Sequence, residues 1–249
     1  MASYSPDPQA GCGHAYAVRA ASYRGPEVAA SCIVSLFGCG FGTASEAAPG
    51  LPLPDTLAGV RVQLSGAQDP ITAPLYYVSP TQINFVAPDR LSPGTYKVVV
   101  RRDGAVVATS AVTVEAVAPD LFTASGSGAG APAAWVVRVA ADGKQTFLSA
   151  AACSAGTCEP AWIDPPVAGE RVILALYGTG LRGRSSTDQV VATVGGRRMP
   201  VLAALPQSEY PGLDQVNVEL TPETAGAGLV DLLLTADGIH SNLVRLRIR

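Results

Sequence analysis

Three features of the 249-residue sequence predict an all-β protein built twice on one plan. The first is punctuation. Gly 26 and Pro 20 together exceed the usual share of roughly 12% and follow no collagen-like period, so they read as turns between short strands. The second is a set of landmarks that recurs in the same order. Ile33-Val34-Ser35-Leu36-Phe37-Gly38-Cys39-Gly40-Phe41 returns as Ile173-Leu174-Ala175-Leu176-Tyr177-Gly178-Thr179-Gly180-Leu181, and Gln82-Ile83-Asn84-Phe85 returns as Gln215-Val216-Asn217-Val218. The third is a matched pair of hairpin signals: Gly94 to Val100 runs into Asp103-Gly104, and Gly228 to Leu234 runs into Asp237-Gly238. Asp-Gly supplies the positive-φ residues that a two-residue turn between twisted strands requires.

Taken in order, residues 1–25 form a leader with a strand, and residues 26–117 a first immunoglobulin-like β-sandwich module. In that module Tyr96, Val98 and Val100 alternate with Thr95, Lys97 and Arg101, and Val112 and Val114 alternate with Thr113 and Glu115, so each strand buries one face. Residues 118–168 are a connecting hairpin and disulfide loop. There Trp135 to Val139, Asp142-Gly143 and Thr146 to Leu148 form a hairpin belonging to a sheet rather than a linker. The preceding run from Ala124 to Ala131 is Gly-rich, but no Gly-Lys-Ser/Thr follows it, so a turn is expected instead of a phosphate loop. Residues 169–249 form the second sandwich, in which Val244, Leu246 and Ile248 alternate with Arg245, Arg247 and Arg249. That arginine row is expected to be a solvated or edge-protecting face.

Charge and chemistry narrow the function classes. Lys+Arg 17 against Asp+Glu 20, with no basic cluster beyond Arg-Arg pairs, lacks the footprint of a nucleic-acid binder. No apolar run approaches the roughly 18 residues of a membrane-spanning helix. Met1 to Pro6 has neither the basic start nor the apolar stretch of a signal peptide, so export would mean that a signal has been removed or that the chain is a piece of a longer one. His14 and His240 are the two histidines, one in a Gly-containing leader expected to be mobile and one just after a turn, which leaves little for acid–base work. No nucleophile elbow, metal-binding His-Glu-x-x-His or calcium loop occurs, and no catalytic residue, metal or cofactor is expected.

Five cysteines remain to be placed. Cys153 and Cys158 enclose four small or turn-forming residues, a spacing compatible with a local disulfide, and no second Cys/His pair completes a zinc site. A disulfide there implies an oxidising compartment. Of Cys12, Cys32 and Cys39, one of the latter two is expected to be a small buried hydrophobe and the other a bridge to Cys12, with the choice open. Gln82/Asn84 and Gln215/Asn217 form either a polar site or side chains bonding neighbouring backbone, the second being the expectation. A Lys97–Asn84 cross-link is a remote alternative, Lys97 and Lys144 being the lysines of the chain.

A wider set of residues carries a resemblance. Val18-Arg19-Ala20-Ala21-Ser22-Tyr23, Pro52-Leu53-Pro54, Ala73 to Phe85 with its Val-Ser-Pro-Thr-Gln-Ile-Asn-Phe core, Ala118-Pro119-Asp120-Leu121-Phe122-Thr123, Cys153 to Cys158 and Gly212-Leu213-Asp214-Gln215-Val216-Asn217 resemble the uncharacterised C-terminal domain family at the ends of large secreted proteins of soil bacteria. The match runs from about Val18 to Arg249 and departs from the pattern at Cys32 and Cys39. It implies secretion, a β-sandwich fold and a terminal-module role, and carries no established activity.

The expected function is therefore a non-catalytic extracellular interaction or anchoring module at a cell surface or in a matrix. Its partner is a protein or polysaccharide at the cell surface, or a second copy of itself, with the leader Met1 to Ala17 as a strand that could be donated. The alternative is a carbohydrate-binding accessory domain that stacks sugars on Tyr76, Tyr77, Trp135, Trp162 and Tyr210.

Overall fold

The computed structural model describes residues 12–67 and 69–249, and the chain divides into two compact units, Met1–Ala116 and Val117–Arg249. The first unit contains β1 (Tyr16–Arg19), β2 (Glu27–Ala29), β3 (Ile33–Phe37), β4 (Glu46–Ala47), β5 (Val60–Ser65), β6 (Ile71–Ala73), β7 (Leu75–Val78), β8 (Gln82–Val86), β9 (Gly94–Arg102) and β10 (Ala105–Glu115). They form two five-stranded sheets, β1-β3-β8-β7-β4 and β2-β10-β9-β5-β6. Period-two alternation brings the inner faces together. Val34, Leu36, Ile83 and Phe85 of one sheet share a core with Val62, Leu64, Val98 and Val100 of the other, with Cys32 fully buried among them.

The second unit contains β11 (Asp120–Leu121), β12 (Ala134–Val139), β13 (Gln145–Ser149), β14 (Ala151–Ser154), β15 (Thr157–Pro160), β16 (Trp162–Ile163), β17 (Arg171–Thr179), β18 (Val190–Val194), β19 (Arg197–Met199), β20 (Val201–Pro206), β21 (Asp214–Leu220), β22 (Gly228–Ala236), β23 (Ile239–His240) and β24 (Val244–Ile248). One six-stranded sheet runs β13-β12-β17-β21-β20 with β11 beside β17, and the other runs β16-β24-β22-β18-β19 with β23 beside β22. Residues 118–168, expected as a connector, thus supply three strands of the first of these sheets, while β14 and β15 form a separate hairpin across which Cys153 faces Cys158.

The two units are immunoglobulin-like sandwiches with the same strand order. β3, β8 and β7 correspond to β17, β21 and β20, and β10, β9, β5 and β6 to β24, β22, β18 and β19. Details repeat as well: β2 runs parallel to β10 as β16 does to β24, and the β7 and β20 pairings each carry a register shift. Both Asp-Gly turns form as the sequence requires, with positive φ at Asp103, Gly104, Asp237 and Gly238. The landmark glycines also share one cause. A Cβ on Gly38 would lie 3.0 Å from the His14 carbonyl oxygen and closer still to the Phe41 ring, and one on Gly178 would lie 2.6 Å from the Asp120 carbonyl oxygen. In each unit the entering chain crosses directly over the glycine.

The leader corrects an expectation. Residues 12–17 are docked: the Ala15 N–H donates to the Thr109 carbonyl (2.9 Å), the Thr109 N–H donates to the Gly13 carbonyl (3.0 Å), and β1 joins β3. His14 sits in a parallel bridge with Thr109, so it belongs to the sandwich and not to a mobile tail. The rest of the Met1 to Ala17 strand-donor expectation falls on residues 1–11, outside the described residues.

Candidate functional site

The outer face of the β13-β12-β17-β21-β20 sheet carries several exposed large apolar side chains. Because Val136 points into the core, Trp135 and Val137 point outward on β12. The register sets Ser149 and Phe147 beside them on β13, and Ala175 and Ile173 on β17. Tyr177 continues the row opposite Gln215, Asn217 lies opposite Ala175, and Leu205 of β20 pairs with Gln215. Trp135 is 43% exposed, Phe147 59% and Leu205 58%. These are large values for side chains whose burial would contribute strongly to a complex.

The corresponding face of the first unit is more polar. Phe37 stands opposite Gln82 and Ser35 opposite Asn84, and the Tyr23 ring packs 5.8 Å from that of Phe37. Here the Asn84 Oδ1 accepts from Gln82 Nε2 and from Ser35 Oγ, each at 2.9 Å. In the second unit Asn217 Oδ1 accepts from Gln215 Nε2, also at 2.9 Å, with Ala175 in place of the serine. Both Gln/Asn pairs therefore bond to each other, side chain to side chain, rather than to neighbouring backbone as expected. An i, i+2 spacing on a strand puts both amides on one face within reach.

The proposed sugar-stacking aromatics are divided between the two units and among separate elements. Tyr76 and Tyr77 are half-buried on β7, and the Tyr77 hydroxyl donates to Ser45 Oγ at 3.1 Å. Trp135 and Trp162 lie in different sheets of the second unit, and Tyr210 is on the β20–β21 loop. The guanidinium groups of Arg247 and Arg249 sit 5.3 and 5.6 Å from the centre of the Trp162 ring, and Arg249 bonds Asp164 at 2.7 Å. The arginine row is thus a solvated face holding Trp162. It guards no edge, because β16 pairs outside β24. The Lys97–Asn84 cross-link is excluded by placement: Lys97 is on β9 and Asn84 on β8, in separate sheets whose shared faces hold Val98 and Ile83.

The cysteines pair as Cys12–Cys39 and Cys153–Cys158, resolving the choice that sequence left open, and Cys32 is the buried one. The glycine run is a stapled loop. Thr123 Oγ1 accepts from the Gly128 N–H, and the buried Asn242 amide accepts from the Leu121 N–H (2.7 Å) while donating to the carbonyls of Leu121 and Gly128, each at 2.9 Å. His240 shares a hydrogen bond with the Thr235 hydroxyl at 2.9 Å.

Two carboxylates are held ionised by hydrogen bonds. The hydroxyl and the N–H of Ser185 hold Asp237 below its ordinary pKa, and hydrogen bonding from Arg138 does the same for Glu170, so both stay ionised. Asp214 is the exception. Burial pushes its carboxyl up despite hydrogen bonds from Arg182 Nε (2.8 Å) and the Leu181 N–H (3.0 Å). Among the described residues no cluster of three His, Cys, Asp or Glu side chains is placed to hold a metal, and no helix is long and apolar enough to cross a membrane.

Sequence reasoning missed Phe147, Ile173, Tyr177 and Leu205 as members of one face. Their signal was present as alternate outward positions, but reading it needs the strand order. No family model matches the chain, and no curated protein matches it. Among solved structures the chain is similar to bovine butyrophilin, with 10% identity, 94% of this chain and 99% of that chain covered, and a TM-score of 0.28. A similarity of that size says nothing about the ligand or activity of this chain.

Proposed function

We propose that the chain is a non-catalytic interaction or anchoring module that works outside the cell, at a cell surface or in a matrix, and engages its partner through the outer face of the β13-β12-β17-β21-β20 sheet. The observation that carries this reading is the exposure of Trp135, Phe147 and Leu205 on one sheet face that also holds the half-buried Ile173 and Tyr177. Aromatic and aliphatic groups on a rigid scaffold form the anchor of an interface at low entropic cost. Two disulfides support the oxidising compartment in which such a module works. The resemblance to terminal domains of secreted soil-bacterial proteins supports the same placement.

The test compares the protein with its Trp135→Ala variant for retention on insoluble cellulose, chitin and peptidoglycan and on a glycan array, alongside cell-envelope proteins separated on a membrane. Binding that falls at least tenfold on Trp135→Ala and survives Tyr210→Ala supports the face. Retention by saccharides alone would convert the module into the carbohydrate-binding alternative. Binding indifferent to Trp135 would overturn the assignment of the face.

A further inference from the structure

We infer that β13 is a docking edge for a second copy of this chain, pairing antiparallel with its own counterpart to make one sheet across two molecules. This deepens the interaction-module reading, on which it rests, by naming one partner. β13 is the terminal strand of its sheet, with β12 as its sheet neighbour, and all five of its residues are exposed. Its open backbone groups follow from the register. The Ala140 N–H donates to the Lys144 carbonyl and the Ala150 N–H to the Ala134 carbonyl, so the bonded pairs with β12 fall at even positions of β13. The N–H and C=O of Gln145, Phe147 and Ser149 therefore point away from β12, toward the open edge.

β14 and β15, four residues each, form a two-stranded sheet of their own; the edges of the other described sheets are blunted. β4 and β16 are two residues long, β2 and β6 three, and β2 and β4 begin with Glu27 and Glu46. β19 presents Arg197 and Arg198, β20 carries a register shift and ends in Pro206, and β1 is entered by a segment already bonded to Thr109 of β10. Short length, charge, bulges and proline are the devices by which sheets avoid unwanted pairing. β13, Gln145-Thr146-Phe147-Leu148-Ser149, has none of them.

Its sequence is also self-complementary. A two-fold axis at Phe147 sets Phe147 opposite the partner's Phe147, and Gln145 opposite the partner's Ser149. Every open N–H and C=O of these three residues then finds a mate, no charges oppose, and two rings that are 59% exposed gain a cross-strand contact. The same operation makes the two Trp135 faces continuous, because Trp135 lies opposite Ser149 on that side of the sheet.

Analytical ultracentrifugation of the full chain across a concentration series tests this, with Phe147→Lys, Phe147→Glu and their equimolar mixture. The expected result is a reversible dimer whose Kd weakens at least about tenfold in either single variant, because like charges then face each other at the axis, and which returns in the mixture. Far-UV circular dichroism should be unchanged in both variants, since the side chain is exposed. A wild-type protein that stays monomeric throughout, or a dimer indifferent to both substitutions, overturns the proposal. So does a dimer lost on deletion of residues 1–11 and kept in Phe147→Lys, which would make the leader the added strand. Trp135-dependent surface binding by a strictly monomeric protein would leave the interaction-module reading standing while this one fell.

Discussion

At the scale of single residues, Asp214 shows how one buried group can bind two segments and still oppose folding in its charged form. Its side chain is 1% exposed, and it fastens the Gly180–Arg182 corner to the start of β21 through the Leu181 N–H and the Arg182 guanidinium. Desolvation raises its folded pKa above the ordinary carboxylate value. A carboxyl raised on folding contributes stability that is present below the unfolded pKa and is lost as pH rises through the folded pKa. Asp214→Asn removes this titration, so the stability of the wild type relative to the variant should decline as pH rises from below the ordinary carboxylate pKa through the raised one, measured by urea unfolding at each pH. A relative stability that climbed over that interval would mean that Arg182 dominates the site. Glu170 and Asp237, held low by Arg138 and Ser185, have the opposite sign and cancel in the comparison. Sequence pattern marked Asp214 as part of a landmark, Gly-Leu-Asp-Gln-Val-Asn, but burial of an aspartate is invisible to periodicity because it depends on the Leu181 corner, 33 residues away. Gly38 and Gly178 were legible as repeats for the same local reason that they are required, a strand-end approach that no Cβ survives.

At the scale of elements, the two disulfides do different work. Cys153–Cys158 spans 5 residues across a hairpin already closed by its own ladder, whereas Cys12–Cys39 spans 27 and ties the entering chain ahead of β1 to the corner after β3. Loop-closure entropy then assigns roughly 3.5 kcal/mol to the longer bridge and roughly 2 kcal/mol to the shorter. Replacing Cys12 and Cys39 together by Ser should accordingly lower stability more than replacing Cys153 and Cys158, read as midpoints of denaturant unfolding; the reverse order would show that the entering segment contributes little. Spacing alone revealed the short bridge, since six neighbouring residues with Ala-Gly at the tip leave the two thiols facing each other. The long bridge was not legible, because choosing Cys39 over Cys32 depends on which lies beyond the end of β3 and which beneath it. Cys32 is buried in the core just before β3, and Cys39 is half-buried in the turn after the strand. Hairpins were legible throughout, their Asp-Gly turns being local chemistry, while the adoption of residues 118–168 into the second sandwich was not, because it rests on β12 pairing with β17 some 35 residues on.

At the scale of the whole molecule, each sandwich carries its own core. One apolar cluster draws its buried members from Ala15 to Val114 and the other from Val117 to Ile248, with no residue shared. Among the described residues the sheets divide the same way, each ladder closing within Met1–Ala116 or within Val117–Arg249. Units of more than a hundred residues with a complete two-sheet core are large enough to fold unaided. The boundary matters, however: a second fragment begun at residue 169, where sequence alone put the module, would lack β11, β12 and β13. It would expose the β17 edge, and with it the backbone groups of Ile173 and Ala175 that Val137 and Trp135 satisfy. Val117–Arg249 expressed alone should therefore melt cooperatively with a β-type circular dichroism spectrum, as should Met1–Ala116, while the fragment 169–249 should aggregate or remain unfolded. If 169–249 folded as well as 117–249, the intervening strands would be appendages to a smaller sandwich, and the apolar face that they build with Trp135 and Phe147 would have no structural reason to be where it is.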